Sequence, residues 1–432
     1  MNSQRLEMAR LFHRFGFGPR PGEFENALQG GLEPLREKLL HPPALDQGLI
    51  DLAELTLPDL GPYPPPNTPE RKVFSQGMKT GRDALILWWL DRMALSQNAL
   101  TERMVWFWHG HWATSIGKVE YPLPMLIQNQ TMRANALGNF QKLSRSMILD
   151  GALQFWLDGG GSSKRAPNEN LAREFMELFV LGVDRYSEAD VKAAAQALTG
   201  YQVARSNGQI TFNEKNHESN PLTILGSTQT LDGPGLSDLL VARQDNAQFI
   251  AERFWFRFIS STAPLPADKK ITKAFAQRDI SAALRATALH PAMADPQNSL
   301  VKSPVEWFIA VARALNITPS KVSNPSQIIN SLTQLSQLPL YPPNVGGWPA
   351  DEAWLNSASA QYRITFLQFL IKQGDITPVT SLTPAMRIQG VANWLGISAW
   401  TLRTRKALAL TQGDPARVAL LALCSPEFIV SI

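Results

Sequence analysis

Apolar residues along this chain recur chiefly three and four positions apart, the period of an amphipathic α-helix, and strict alternation is scarce. Residues 3–14 read as one short helix stopped at Gly16-Phe17-Gly18-Pro19, and Glu23 to Leu40 carries the same period. Long helices are predicted over 82–95 and 99–110, with another near 122–136. Asn168 is placed to cap a helix running to Leu181, with Gly182 at its C-terminal end. Ser187 and Asp190 have capping-box spacing and open a helix that ends near Gly200. The helical period returns at 235–259, 268–289, 300–315 and 325–336, and again after the turn-rich stretch 340–354.

The period is lost in two earlier places. Residues 56–69, TLPDLGPYPPPNTP, are rich enough in proline to read as an extended surface loop. Between 201 and 232, YQVAR and QITFN flank Ser206-Asn207-Gly208, which has the composition of a hairpin turn and is the one convincing β element. The expected fold class is therefore mainly α, a large multi-helix domain with a small β-hairpin insertion around 201–232. Residues 1–432 read as a single large helical domain, with a division at the hairpin into lobes 1–200 and 233–432 as the alternative.

Composition changes this picture little. Hydrophobic residues make up 44% of the 432 and charged residues 18%, which supplies a sizeable core and excludes wholesale disorder. Forty-one basic against 37 acidic side chains leave a net charge of +4, too small an excess to call for a nucleic-acid partner. Cys424 is the single cysteine, so neither an intrachain disulfide nor a thiolate zinc cluster can form. The N-terminus lacks the apolar stretch of a secretory signal, and the most apolar segments, 84–90 and 104–108, are too short for a membrane span. On that ground alone the expectation is a cytoplasmic chain without a transmembrane segment. Trp88, Trp89, Trp106, Trp108 and Trp112 crowd one region and predict a thick helix-packing core.

The segment 168–181 carries the densest polar chemistry. At about 100° per residue, Glu169, Arg173, Glu177, Asn170 and Glu174 fall within one arc of about 140°, and apolar residues fill the rest. Such a stripe is either a set of i, i+4 ion pairs or a group of carboxylates aimed into a polar cavity. His109 and His111 stand two residues apart in FWHGHWATS, where Gly110 could let both rings turn toward one point, and His217 follows the hairpin in a polar loop. His13 reads as a packing or capping residue, and His41 and His290, each before a proline, as turn residues. Phosphate-loop, dinucleotide, zinc-protease and nucleophile-elbow signatures are absent. The basic run TLRTRK at 401–406 reads as a solvated helix face.

Several segments together resemble the bacterial family called domain of unknown function 1800: RLFHRFGFGP, ERMVWFWHGHWATS, the long stretch 168–201, VKSPVEW, and YPPNVGGWPADEAWLNS. The resemblance implies a largely helical protein of unestablished activity, often exported, and often encoded beside a second uncharacterised family that would supply a protein partner. Its polar signature falls on His13, His111, Asn168, Glu169, Asn170, Arg173, Glu174, Glu177 and His217, with Asn344, Gly347 and Trp348 in the late turn. This chain departs from the pattern at Gly110, where the family usually has asparagine, and at Glu218, where it usually has aspartate.

Two functions fit these residues. One is a metal-dependent enzyme acting on an anionic or polar substrate. In it Glu174, Glu177 and Arg173 are catalytic, and His109, His111 and His217 hold a divalent ion such as zinc, manganese or iron. The other is a non-catalytic binding or accessory protein, whose stripe is a structural ion-pair network with Arg173 as the buried counter-charge of two glutamates.

Overall fold

The computed structural model describes residues 3–431 and is helical through most of its length, as the apolar period requires. Its β structure is three two-stranded antiparallel sheets. The expected hairpin is present, with Tyr201–Val203 paired to Ile210–Phe212. A second hairpin, Leu222–Ile224 against Ser227–Gln229, follows in the same insertion; its strands of three residues are too short to show alternation. The third sheet joins Leu300–Val301 to Val430–Ser431. The helix expected from residue 300 accordingly begins only at Pro304, behind a capping box made by Ser303 and Glu306.

Most predicted helices are present with different limits. The stretch 23–40 is two helices, Glu23–Gly30 and Leu32–Leu40, because Gly31 between them takes φ 94°. The first long helix opens well before residue 82, at Pro69 behind the Thr68 cap, and runs to Leu95. It is followed by Leu100–His111 and Pro122–Asn135. Segments 235–259 and 268–289 are each broken in two, the first into Gly233–Val241 and Gln244–Phe258. The helix at 168–181 is α-helical only over Glu169–Glu174 and widens to a π-helix over Phe175–Val180.

All five crowded tryptophans belong to the core, Trp89, Trp108 and Trp112 without exposed surface. One continuous cluster of buried apolar side chains runs from Met8 to Phe428, so residues on both sides of the hairpin insertion share it. Buried arginines tie the N-terminal helix, Ser3–Arg14, to distant backbone. Arg14 donates to the carbonyls of Ile259 at 2.9 Å, Asn298 at 2.5 Å and Ser431 at 2.8 Å, and Arg10 to those of Met293 at 2.8 Å and Asp295 at 2.7 Å. Carbonyl oxygens here satisfy the Nη groups of Arg14 and Nη1 of Arg10, which would otherwise be buried unpaired, while Arg10 Nε and Nη2 have no hydrogen-bond partner among the described residues. No helix among the described residues is long and apolar enough to cross a membrane.

Candidate functional site

The histidines do not converge. Two residues apart on one helix, His109 and His111 leave its axis about 160° apart. His109 lies among Trp89, Trp106 and Trp348, and its Nε2 accepts the Leu340 N–H at 3.2 Å. His111 lies on the other side among Phe107, Trp108 and Trp112, and its Nε2 donates to the Phe179 carbonyl at 2.8 Å. Burial pushes both imidazoles down to about 3, helped at His111 by the Arg253 charge, so both are neutral. His217 sits elsewhere, 3.0 Å from the Thr199 carbonyl and edge-on to Phe212, where it pins the first hairpin. Among the described residues no three His, Cys, Asp or Glu side chains form a set able to hold a metal ion. The donor set expected from His109, His111, His217 and Glu174 or Glu177 is thus not brought together.

The charged stripe is arranged differently from its helical projection. Asn168 caps as expected, accepting from the N–H groups of Asn170 at 2.9 Å and Leu171 at 3.3 Å. Glu169 and Asn170 face solvent. Arg173 reaches across to Glu188 with two bonds of 2.6 and 2.7 Å, rather than to Glu169 or Glu177. The widened turn from Phe175 sets Glu177 beside Tyr186, whose hydroxyl donates to it. Glu174 is half-buried, and burial together with the Glu177 charge raises its pKa. At the end of the π-helix, His111 takes the Phe179 carbonyl and the Asn246 amide takes that of Val180 at 2.8 Å. His111 therefore closes a helix end whose carbonyls have no partner within the helix.

A second cluster is the better site. His13 and Arg14 from the N-terminal helix, Arg103 from Leu100–His111 and Arg257 from Gln244–Phe258 line one cleft with Lys302, Ser303, Glu306, Asp351 and Trp354. It encloses about 40 Å³ and continues into a recess of about 30 Å³ that shares Arg103, Arg257, Ser303 and Glu306 and adds Trp106, Gly110 and Trp348. Trp348 stacks on Trp106 with centroids 5.1 Å apart. It is held there by Gly347 at φ 85°, where a Cβ would lie 2.5 Å from the Gly110 carbonyl oxygen, so only glycine fits. Asn344, by contrast, is exposed and serves the turn, accepting the Gly346 N–H at 2.9 Å.

The carboxylates of this cleft are engaged, and so are its cations except Arg257. Asp351 accepts from Val301 N–H at 3.1 Å and the Ser261 hydroxyl at 2.6 Å. Glu306 accepts from Arg103 and from the Ser303 N–H at 2.9 Å; burial raises its pKa, but Arg103 and these bonds hold it below the usual carboxylate value. Arg257 is half-buried and has no hydrogen-bond or ion-pair partner among the described residues. The Lys302 ammonium donates to the Phe428 carbonyl and to no other described residue, and burial pushes it down to about 7, with Glu306 opposing and Arg14 and Arg103 assisting. His13 Nδ1 and Trp348 Nε1 are buried without hydrogen-bond partners among the described residues. His13 bonds the Leu395 carbonyl through Nε2 at 3.0 Å and is neutral, its pKa driven down by burial and the Lys302 charge.

Sequence reasoning singled out His13 and Trp348 but missed Arg14, Arg103, Arg257, Lys302 and Glu306. For all of these but Arg257, the available signal was the set of segments itself. RLFHRFGFGP, ERMVWFWHGHWATS, VKSPVEW and YPPNVGGWPADEAWLNS, far apart in the chain, all contribute to this cleft and recess. Comparison with known proteins agrees with the resemblance those segments carry. The model of the family described as "Protein of unknown function (DUF1800)" matches residues 10–430. No curated protein and no solved structure matches the chain. Matched over nearly its whole length, the chain belongs to the DUF1800 family.

Proposed function

We propose that this protein recognises an anionic group, a carboxylate or a phosphate-type oxyanion, in the basic cleft. One observation carries the reading: Arg257, half-buried, presents its guanidinium fork to a cleft in which both carboxylates already have partners. A guanidinium withdrawn from water without an acceptor is costly, and a ligand oxyanion bound in bidentate fashion removes that cost. Lys302 supplies a second positive charge beside it. The enclosed volume of about 40 Å³ admits one small polar group rather than a whole organic ligand, for which about 300–1,000 Å³ is usual. The remainder of the ligand then extends along the Trp106–Trp348 recess or outward.

On this reading the protein belongs to the binding class, and the 168–181 stripe carries an exposed ion pair between Arg173 and Glu188. The histidine geometry lends no support to the metal-dependent reading, because each ring faces a separate aromatic or carbonyl environment. Calorimetric titration at low ionic strength with phosphate, sulfate and citrate tests the proposal. Saturable binding that falls by about tenfold or more in Arg257→Ala, with an unchanged unfolding midpoint, is expected. Absence of saturable binding by all three anions, or equal affinity in the variant, would overturn it.

A further inference from the structure

Away from the basic cleft, the segment from Pro42 to Glu54 lies over the junction between the Pro69–Leu95 and Leu100–His111 helices and encloses about 530 Å³. That is the volume of a site for a small organic molecule. Its floor is ionic. Glu102, 1% exposed, accepts from Arg92 Nε at 2.8 Å and from Arg133 Nε and Nη2 at 2.6 and 2.9 Å. Burial raises the Glu102 pKa, but the Arg133 and Arg92 charges outweigh burial and keep it ionised. One carboxylate thus faces two guanidinium groups, and both nitrogens of the Arg92 fork and Nη1 of Arg133 bond to no described residue.

The two guanidiniums are fixed before any ligand arrives. Each packs over the Trp88 ring, at 5.2 Å for Arg92 and 5.1 Å for Arg133, and Trp88 is itself tied to the Ala53 carbonyl at 3.2 Å. Asp46 anchors the covering segment by accepting from Ser96, Gln97 and Asn98 at the helix junction, so it does not compete for the arginines. Leu45, Leu49, Ile50 and Leu52 of the covering segment form an apolar wall on one side of the cavity, next to the Glu54 carboxylate, and Leu45 and Ile50 are 62% and 54% exposed. An inorganic anion would leave that wall in water, and an uncharged amphiphile would leave the guanidinium edges without oxygens.

We propose that this cavity binds a small organic carboxylate with an apolar tail. The carboxylate meets the free edges of Arg92 and Arg133, and the tail covers Leu45, Leu49 and Ile50. The inference is independent of the basic cleft, and the two are separated by titrating octanoate into Arg257→Ala protein, in which the cleft has lost its fork. Saturable octanoate binding is expected, weaker by about tenfold with either acetate or octanol. Arg92→Gln should lower octanoate affinity by about tenfold while Glu102 keeps its two bonds to Arg133. Leu45→Ser, at an exposed position that the fold does not need buried, should weaken octanoate several-fold and leave acetate unchanged. No saturable binding below the micelle threshold, or octanoate affinity unchanged in both Arg92→Gln and Leu45→Ser, overturns the proposal.

Discussion

The 168–181 stripe and the basic cleft contain the same chemical groups, arginine beside glutamate, yet they differ in what those groups have left to offer. Arg173 and Glu188 form a bidentate pair with side chains 34% and 69% exposed. In the cleft, Glu306 is committed to Arg103 and the Ser303 N–H, and Arg257 has no hydrogen-bond or ion-pair partner among the described residues. Charge density along a sequence therefore says little about binding. What matters is whether the folded partners have already satisfied each group, and of these two regions the cleft is the one that leaves a guanidinium without an acceptor.

The sharpest way to break this comparison is to remove one member of each region and measure unfolding. Glu306→Ala leaves Arg103, Arg257 and Lys302 without their nearest counter-charge and removes a helix cap, at a cost of about 3–5 kcal/mol. Arg173→Ala removes an exposed, solvent-screened pair and is expected to leave the denaturation midpoint close to that of the parent protein. Equal losses in the two variants would show that the stripe is as integral to the fold as the cleft.

Acidity separates the regions next. The Lys302 ammonium titrates at about 7 in the fold, below its unfolded value of about 10.4. Between those values the unfolded chain holds the extra proton, so stability from this group rises with pH; below about 7 both states are protonated and the burial penalty is fully present. Anion affinity moves the other way, falling as pH rises through about 7 because the cleft loses a positive charge. Lys302→Met should flatten both profiles. Anion affinity that is level between about pH 6 and 8 in the parent protein would contradict the role given to Lys302.

How much of this was legible follows the range of each signal. The Asn168 cap, the Ser187–Asp190 capping box and the Ser206–Gly208 hairpin turn are written in residues that touch one another, and all were readable. The π-helix was not, because it is completed by His111 and Asn246 arriving from other helices. That distant contact also explains why His111 resembles a ligand in sequence and acts as a cap in the fold. The cleft was hidden for a related reason. Arg14, Arg103, Arg257 and Lys302 each sit within or beside an apolar run that reads as packing, and nothing in their spacing announces that four separated segments meet.

The smallest expected effect addresses how far the ligand reaches. Gly110 lies in the Leu100–His111 helix and lines the recess, and a Cβ built there meets no atom within 4 Å. Gly110→Asn therefore places its Cβ in open space, and a surface-like change of this kind is expected to alter stability by about 0.5 kcal/mol or less. The same addition at Gly347 would strike the Gly110 carbonyl oxygen at 2.5 Å, which makes the pair a matched control for space. With the fold unchanged, Gly110→Asn should still shift citrate affinity by a few-fold while leaving sulfate unaffected. The larger anion must extend past Arg103 and Arg257 toward Trp348, and the smaller one need not. An equal shift for both anions would place the amide against the oxyanion itself, and no shift for either would turn the ligand's body outward, away from the tryptophans.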